Sequence, residues 1–390
     1  INSLQTIPGF YLSENDDAGI STRGTSPSQN LIVMDGIPVL NSSHLSGQVS
    51  SINSKFIHQS FVSRGGFGVE YGGASSGIIE LTGKTAKNTI VDFSANLLDA
   101  NLFVGIPVSP KLSVSGSFRK SIVDFWPNYY YKNLVSAPFL LKSAGDLVVT
   151  EKGIRTSDNF YDINLKVAYL PTTRSEIDFI ISNGSDNQIR NFKIEADKPY
   201  FIDNLTKRNN FGFGFNWKFK SKNSWYNTVL ASYNQLNQNR YFNSGFNNYG
   251  INTPGLHLSE FDLSNSSQAL LKWKSEFSRK KLSYLFGAEY SFNHLLYNFT
   301  GKVDEFSGTT GDSISEKLNK HQGNLFFESN YKLFRWIELT AGIRGLVDIS
   351  IPDVFIQPRA GMNLILDNEW RFYYRFGKYI QPFYQTQRVS

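Results

Sequence analysis

The sequence predicts a mostly β protein, in which a membrane-spanning antiparallel β-barrel follows a small N-terminal α/β unit. Three observations point to this fold class. From Thr89 onward, apolar and polar residues alternate within many short segments. The connections between these segments are short and long in turn. Before Thr89, apolar strand signals lie between closely spaced glycines, which is typical of a compact unit with tight turns.

The composition excludes several classes of protein. Aromatic residues make up 15% of the 390 residues, which is too many for an intrinsically disordered chain. No apolar run approaches the roughly eighteen residues that a spanning helix needs, so a membrane-spanning structure would be a closed β-barrel. The formal net charge is +6, but the lysines and arginines are scattered along the chain. We therefore predict no nucleic-acid partner.

Residues Gly19 to Lys84 predict a unit of short strands. The run Leu31 to Met34 is apolar and ends in Asp35-Gly36, a strong turn signal, and Ile78 to Thr82 repeats the apolar pattern. No Gly-Lys-Ser/Thr step opens a helix here, which excludes a phosphate-binding loop. The single Arg-Gly-Gly step is not repeated, which disfavours an RNA-binding segment.

The clearest alternation lies between Phe211 and Phe219. Aromatic residues occupy every odd position, and Gly212, Gly214 and Asn216 lie between them. A strand with this pattern has one apolar and one polar face. In a soluble sandwich the apolar face turns towards a core, whereas in an outer-membrane barrel it turns outward to lipid. The alternation alone leaves both architectures open.

Connection lengths favour the barrel. Short connectors such as Pro171 to Thr173 and Ser278 to Lys280 alternate with long polar ones such as Asn183 to Lys207 and Leu295 to Lys317. Short turns on one side and long loops on the other are typical of bacterial outer-membrane barrels. We therefore expect the short turns to face the periplasm and the long loops to face the cell exterior.

Short motifs stand in a fixed order in the N-terminal stretch. They are Arg23-Gly24, Asp35-Gly36, Arg64-Gly65, Tyr71-Gly72 and Thr82-Gly83-Lys84. This succession resembles the plug domain of TonB-dependent outer-membrane receptors, although any one motif alone would be weak. The resemblance implies that residues 1–87 form an α/β plug domain inside the lumen of a barrel formed by residues 88–390. Residues 1–87 are called the plug below.

The C-terminal part supports the same resemblance. The steps Gly342-Ile-Arg344, Pro358-Arg359 and Tyr374-Arg-Phe-Gly377 resemble barrel strands of these receptors. The chain would then contain about 13 of the roughly 22 strands of a receptor barrel. We expect the remaining barrel strands and the N-terminal part of the plug, with the TonB box that contacts TonB, to lie outside this sequence.

The resemblance also implies a set of site residues. Arg23 and Arg64 occupy plug positions at which the family places basic residues paired with barrel glutamates. A charge enclosed between plug and barrel is costly unless it is paired. The alternation directs Glu289 and Glu328 towards the lumen, so these two are the candidate partners. The turn motifs of the plug are expected at Gly24, Asp35, Gly36, Gly65, Tyr71 and Gly72.

Ligand contacts in the family come from the apex of the plug and from lumen residues. The matching apical positions here are Tyr11, Gln29, Asn30, Ser43 and His44. No pair of histidines has the close spacing of a metal site, and the sequence has no Gly-x-Ser-x-Gly elbow or recognisable triad. We therefore predict no cofactor, no resident metal and no enzymatic activity.

The predicted function is TonB-dependent, energised import of a scarce large ligand across the outer membrane of a Gram-negative bacterium. A ferric siderophore is the favoured ligand, and haem, cobalamin and oligosaccharide remain alternatives. The predicted partners are TonB, outer-membrane lipid and a small or medium-sized ligand such as a metal chelate. A passive porin or adhesin-like barrel and a soluble carbohydrate-binding protein stay open as functions of other classes.

Overall fold

The computed structural model describes residues 9–13, 19–44, 47, 49–123, 125–126, 154–194, 200–221, 225–246, 257–305, 308–350, 353–366 and 370–381. Nearly all of them lie in strands or in the turns that join strands. The regular helical content of the described plug is one 3-10 turn at Pro27–Gln29. Within these ranges, no helix has the length and apolarity needed to cross a membrane.

The plug contains eight short strands among the described residues. β3 and β8 form a parallel pair, and β4 and β7 flank them in a four-stranded sheet, while β1 pairs with β2 and β5 with β6. The strands are β1 (Phe10–Ser13), β2 (Gly19–Thr22), β3 (Leu31–Met34), β4 (Ile37–Pro38), β5 (Ser43–His44), β6 (Val49–Ser50), β7 (Ile57–Ser63) and β8 (Ile78–Gly83).

The plug has its own small core, because β3 and β8 carry apolar residues on both sides. Ile32, Phe56, Ile79 and Leu81 pack together and are almost inaccessible to solvent. Phe103, which belongs to the large sheet, packs into the same cluster. The apolar core of the plug is therefore continuous with the inner face of the surrounding sheet.

The remaining strands form one sheet of thirteen antiparallel strands in chain order, called the wall below. Each strand pairs with its sequence neighbours. The strands are β9 (Ile90–Ala95), β10 (Asp99–Ser109), β11 (Leu112–Ser121), β12 (Ile154–Thr172), β13 (Ser175–Ile194), β14 (Tyr200–Lys220), β15 (Tyr226–Phe246), β16 (His257–Arg279), β17 (Leu282–Glu305), β18 (Gly308–Phe334), β19 (Ile337–Asp348), β20 (Asp353–Leu366) and β21 (Trp370–Gly377).

The two faces of the wall have the polarity of a membrane barrel. On β14, Phe211, Phe213 and Trp217 are 38–40% exposed, whereas Asn216 on the opposite face is 6% exposed. Lys166 and Arg344 are buried on the inner face of other strands. Apolar side chains thus face outward and polar ones face the plug, which confirms the barrel and excludes the dry core of a sandwich.

The long connections differ from the sequence prediction. Much of Asn183 to Lys207 and of Leu295 to Lys317 is strand, since β13 and β14 continue into the first segment and β17 and β18 into the second. β17 and β18 have 24 and 27 residues, more than twice the roughly 9–11 that cross a membrane. Both faces of the part of a strand that extends beyond the membrane contact water. Its sequence therefore lacks a regular apolar face and resembles that of a loop.

The position of an outward-facing residue of β14 in the bilayer should determine how much a charge placed there reduces folding stability. We expect Phe215→Lys in the full-length protein to reduce folding stability by about 2–4 kcal/mol, because the lysine would lie near the centre of the bilayer. Phe219→Lys, at the end of the same face, should cost about 0–1 kcal/mol. Urea titration of folding into lipid vesicles measures both, and equal costs would contradict the outward placement of this face.

Candidate functional site

The interface between plug and wall is the candidate site, and around Glu70 its cations lie on the wall. Lys272 Nζ donates to the backbone oxygen of Glu70 at 2.5 Å, and Lys274 Nζ donates to the Glu70 carboxylate at 2.7 Å. Arg344 donates to the backbone oxygen of Val69 at 3.1 Å. The plug therefore supplies acceptors, and wall lysines and arginines supply donors.

Arg359 extends this arrangement along the segment Phe67 to Gly73. Its guanidinium donates to the backbone oxygens of Phe67 and Gly68, and it lies over the rings of Phe67 and Tyr379. Buried carbonyl groups need donors, and a guanidinium can serve several of them at once. This plug segment thus depends on wall side chains for hydrogen bonds that regular strands make with backbone.

The two glutamates predicted from sequence both lie at this interface. Glu289 Oε1 is 2.5 Å from Arg344 Nη2, and Glu289 Oε2 is 3.5 Å from Lys272 Nζ. Glu328 accepts a hydrogen bond from the backbone N–H of Val69 at 3.1 Å. Glu289 therefore pairs with cations of the wall, and Glu328 contacts the plug through its backbone.

The plug arginines lie elsewhere. Neither Arg23 nor Arg64 is within ion-pair distance of Glu289 or Glu328, all four of which are described residues. The Arg23 guanidinium lies against Gly65, where a Cβ would be 3.3 Å from Nη1, and the Arg64 side chain lies against Gly9. The pairing of the plug arginines with wall glutamates is thus not seen in this structure and stays a prediction.

His44 forms the most enclosed polar contact between plug and wall. Its Nε2 is 2.8 Å from Asp162 Oδ1, and its Nδ1 is 2.5 Å from Asp186 Oδ1. The ring stacks on Phe160 at 4.5 Å, and Arg119 also binds Asp162. Burial lowers the pKa of His44, but the two carboxylates outweigh it and raise the pKa to about 9. His44 is therefore a buried cation at neutral pH.

The other predicted apical residues also have structural contacts. Ser43 is 5% exposed and His44 is 1% exposed, so both side chains are buried, and their contact with a ligand stays a prediction. Asn30 Nδ2 donates to the backbone oxygen of Ile20 at 2.8 Å, and the backbone oxygen of Gln29 accepts hydrogen bonds from two serine N–H groups. The side chain of Tyr11 lies outside the described part of the structure.

The Asp35-Gly36 turn docks the plug onto β12, β14 and β15. Both residues have positive φ, at 48° and 84°. Asp35 Oδ1 is 2.9 Å from Lys166 Nζ, and Asp35 Oδ2 accepts the backbone N–H of Gly83 at 3.0 Å. A Cβ on Gly36 would be 2.1 Å from a methyl group of Leu230, so a larger residue would not fit.

Ile37 follows this turn and enters a notch in the wall. A Cβ on Gly212 or Gly214 would lie 2.8–3.0 Å from the nearest Ile37 carbon, closer than side chains normally approach. These are the glycines between the aromatic residues of β14. These two lumen-facing positions are therefore glycine because the Ile37 side chain occupies the space that a larger residue would need.

A cavity of about 390 Å³ lies between plug and wall, and its lining extends from the Asp35-Gly36 turn to Glu70 and Tyr71. Plug residues Glu70, Tyr71 and Glu80 and wall residues Lys272 and Glu289 are among its lining. Tyr71 donates to Glu80 at 2.5 Å. Burial raises the pKa of Tyr71. The negative charges of Glu70 and Glu80 raise it further, so the phenol stays protonated. Burial raises the pKa of Glu70, but Lys274 and Lys272 hold it below its usual value.

The plug is thus attached in two different ways. At the Asp35-Gly36 turn, the Lys166 and Asp35 side chains are 2% and 4% exposed. Beside the cavity, the Lys274 and Glu70 side chains are 25% and 21% exposed. Breaking a partly hydrated ion pair costs less free energy than breaking an enclosed, well-paired one. The Lys274–Glu70 pair should therefore separate more readily than the Lys166–Asp35 pair.

Comparisons with known proteins agree with this architecture. Residues 1–78 match the family model described as the TonB-dependent receptor plug domain, and residues 146–389 match that described as the TonB-dependent receptor-like β-barrel. The second match alone covers more than half of the chain. The chain belongs to the TonB-dependent receptor family. A comparison with curated proteins gave no match.

Several solved receptors share the fold of this TonB-dependent receptor chain. The ferric yersiniabactin uptake receptor FyuA from Yersinia pestis superposes with a TM-score of 0.65 at 13% identity, covering 95% of this chain and 60% of that one. A mutant of the ferric enterobactin receptor PfeA from Pseudomonas aeruginosa gives 0.57 at 16%, covering 94% and 57%. The alcaligin receptor FauA from Bordetella pertussis gives 0.52 at 10%, covering 95% and 57%. The chain spans 60% or less of their lengths.

Sequence reasoning missed the wall cations that hold the plug. Lys166, Lys272, Arg344 and Arg359 all occupy inward positions of the alternation, and this could have identified them as lumen residues. It could not identify their partners, because backbone oxygens carry no signal in the sequence. The sequence prediction instead placed the cations on the plug and their carboxylate partners on the wall.

The contact between His44 and the wall should weaken at alkaline pH. The pKa of His44 is raised from 6.5 to about 9, so its contribution is fully present below pH 6.5 and is lost as the pH rises through 9. We expect protease protection of the plug in the full-length protein to fall between pH 8 and 10. His44→Gln should flatten this profile, whereas His294→Gln, on the outward face, should leave it unchanged. An unaltered profile in His44→Gln would contradict the assignment.

Proposed function

We propose that the chain forms the plug and part of the barrel of an energised outer-membrane transporter that imports a scarce large ligand, with ferric siderophores as the ligand class. The proposal keeps the domain boundary between residues 87 and 88, and the end of β8 at Gly83 in the plug sheet and the start of β9 at Ile90 in the wall support it. TonB supplies the energy, and the outer membrane of a Gram-negative bacterium is the location.

The observation that carries the proposal is a plug held inside the wall by breakable polar contacts. A barrel of this kind is too wide to be filled by its own side chains, so a plug is needed to close it. The contacts beside the cavity are hydrogen bonds and ion pairs between partly hydrated groups. Such contacts can separate without exposing an apolar core, whereas those around Ile37 and Phe103 cannot.

The ligand route follows from this difference between the two sides. Glu70 and Tyr71 line the cavity together with residues of several wall strands, and the lining carries charges of both signs. A hydrophilic ligand would pass where water already has access. We place the route along the part of the cavity lined by Glu70 and Tyr71, with the enclosed Lys166–Asp35 pair keeping the turn docked on the wall during transport.

The choice of siderophores rests on similarity alone. FyuA, PfeA and FauA are named as receptors for iron chelates or siderophores, but their low identity to this chain transfers only the fold. No group of three or more potential metal-ligating side chains occurs among the described residues. A ligand that carries its own chelated metal is consistent with that finding, and the function requires no bond chemistry by the protein.

Two matched disulfide locks test the proposal. The sequence contains no cysteine, so introduced pairs would be the only thiols in this part of the protein. Val69→Cys with Gly342→Cys locks the segment that carries Glu70 and Tyr71, because a Cβ on Gly342 would lie 2.6 Å from Val69 Cγ1. Ile37→Cys with Gly214→Cys locks the docked side, where the corresponding distance is 2.8 Å. Both pairs join a wall glycine to an aliphatic plug residue.

We expect the first lock to abolish uptake of radioactive iron supplied on hydroxamate or catecholate siderophores, with recovery after reduction. Binding of the same chelates should persist. The second lock should leave uptake unchanged. Loss of uptake with both locks would contradict the proposal that the plug stays docked at Ile37 during transport. Uptake that continues without TonB would favour a passive barrel.

A further inference from the structure

The outward face of the wall carries a row of polar side chains across four neighbouring strands. Ser185 lies directly opposite Asn209, Asn209 opposite Asn237, and Asn237 opposite Asn265. Residues that face each other across antiparallel strands lie on the same side of the sheet. The row therefore forms a continuous ladder of small polar groups, called the amide ladder below.

The amide ladder lies at the upper border of the apolar belt. On β14 the outward residues from Phe211 to Phe219 are all aromatic, and Asn209 is the next outward position. Nine residues correspond to the roughly 9–11 that cross the hydrocarbon core in a tilted strand. The border is the one away from the short turns of the wall, which would be the outer leaflet of the outer membrane.

The surroundings of the ladder form a shallow recess of about 300 Å³. Lys207 lies in the next outward row, between Asn187 and Asn239, and its side chain is exposed. The Oδ1 atom of Asn187 is buried and accepts no hydrogen bond from the described residues. One row further out, Tyr241 and Phe261 lie opposite each other and are 42% and 43% exposed.

These groups have the chemistry of a sugar–phosphate site. A side-chain amide both donates and accepts hydrogen bonds, which suits the hydroxyl groups of a sugar. An ammonium group such as that of Lys207 binds phosphate as a point charge. Exposed aromatic rings provide an apolar surface next to a polar one, which suits groups at a membrane boundary.

We propose that the amide ladder and Lys207 bind the phosphorylated sugar headgroup of a glycolipid in the outer leaflet. The site is continuous with the apolar belt, so the acyl chains of a lipid bound there would lie on Phe211 and Phe213. This continuity favours a lipid over a soluble glycan, which would leave those rings uncovered. The proposal rests on the outer-membrane location given under the proposed function.

Co-purification of lipid tests the site. We would extract the full-length protein with mild detergent and quantify lipopolysaccharide and phosphatidylglycerol retained per molecule by mass spectrometry. Two lost hydrogen-bonding amides should reduce retention of lipopolysaccharide by about tenfold in Asn209→Leu with Asn237→Leu. Asn227→Leu is the matched control, because Asn227 is on the same face of β15 at the short-turn end. Heat-dependent gel mobility shows whether each barrel is folded.

Each outcome decides a different question. Equal retention of lipopolysaccharide in the double variant and the wild type would overturn the site, as would equal loss in Asn227→Leu. Preference for phosphatidylglycerol would show that charge alone acts, and competition by soluble oligosaccharide would show a glycan site instead. Recovery of the protein outside the outer-membrane fraction would instead contradict the proposed function, on which uptake of iron chelates reports independently.

Discussion

Enclosed cations of the wall are the constraint on which the rest of this structure depends. A plug segment without regular strand partners leaves backbone oxygens in the lumen, and these need donors. Lys272, Arg344 and Arg359 supply them from the surrounding strands. Because the cations are themselves paired with Glu289 or with aromatic rings, their burial is compensated. Plug and wall therefore form one hydrogen-bonded body in spite of their separate sheets.

The wall also determines where the plug is immobile. Phe103 contributes to the plug core, Ile37 enters the notch at Gly212 and Gly214, and His44 bridges two aspartates. These contacts are dry and specific in shape. The segment around Glu70 instead borders a cavity lined by charges of both signs. A single plug thus combines enclosed attachments with a partly hydrated one.

The sequence predicted the architecture well because the architecture has a period. The odd aromatic positions from Phe211 to Phe219 determine the outward face, and every inward lysine and arginine follows from the same count. Glycine motifs located the plug turns, and positive φ at Asp35 and Gly36 agrees with that prediction. Local pattern was sufficient for these features because each depends on neighbours within a few residues.

The plug–wall contacts could not be predicted in the same way. His44 resembles a loop residue until Asp162 and Asp186 are brought to it from strands more than a hundred residues away. The alternation directs Glu289 towards the lumen, but nothing in it identifies Arg344, 55 residues further along the chain, as its partner. The alternation predicts which charged side chains face the lumen. Which residue each of them pairs with depends on how distant strands pack against the plug.

Amide hydrogen exchange in the full-length protein tests most directly whether wall cations hold the plug. The segment Phe67 to Gly73 should exchange faster than Leu31 to Pro38, because wall side chains hold its backbone in place of a strand ladder. Arg344→Met should accelerate exchange in the first segment by about tenfold and leave the second unchanged. Equal acceleration of both segments, or of neither, would contradict the account.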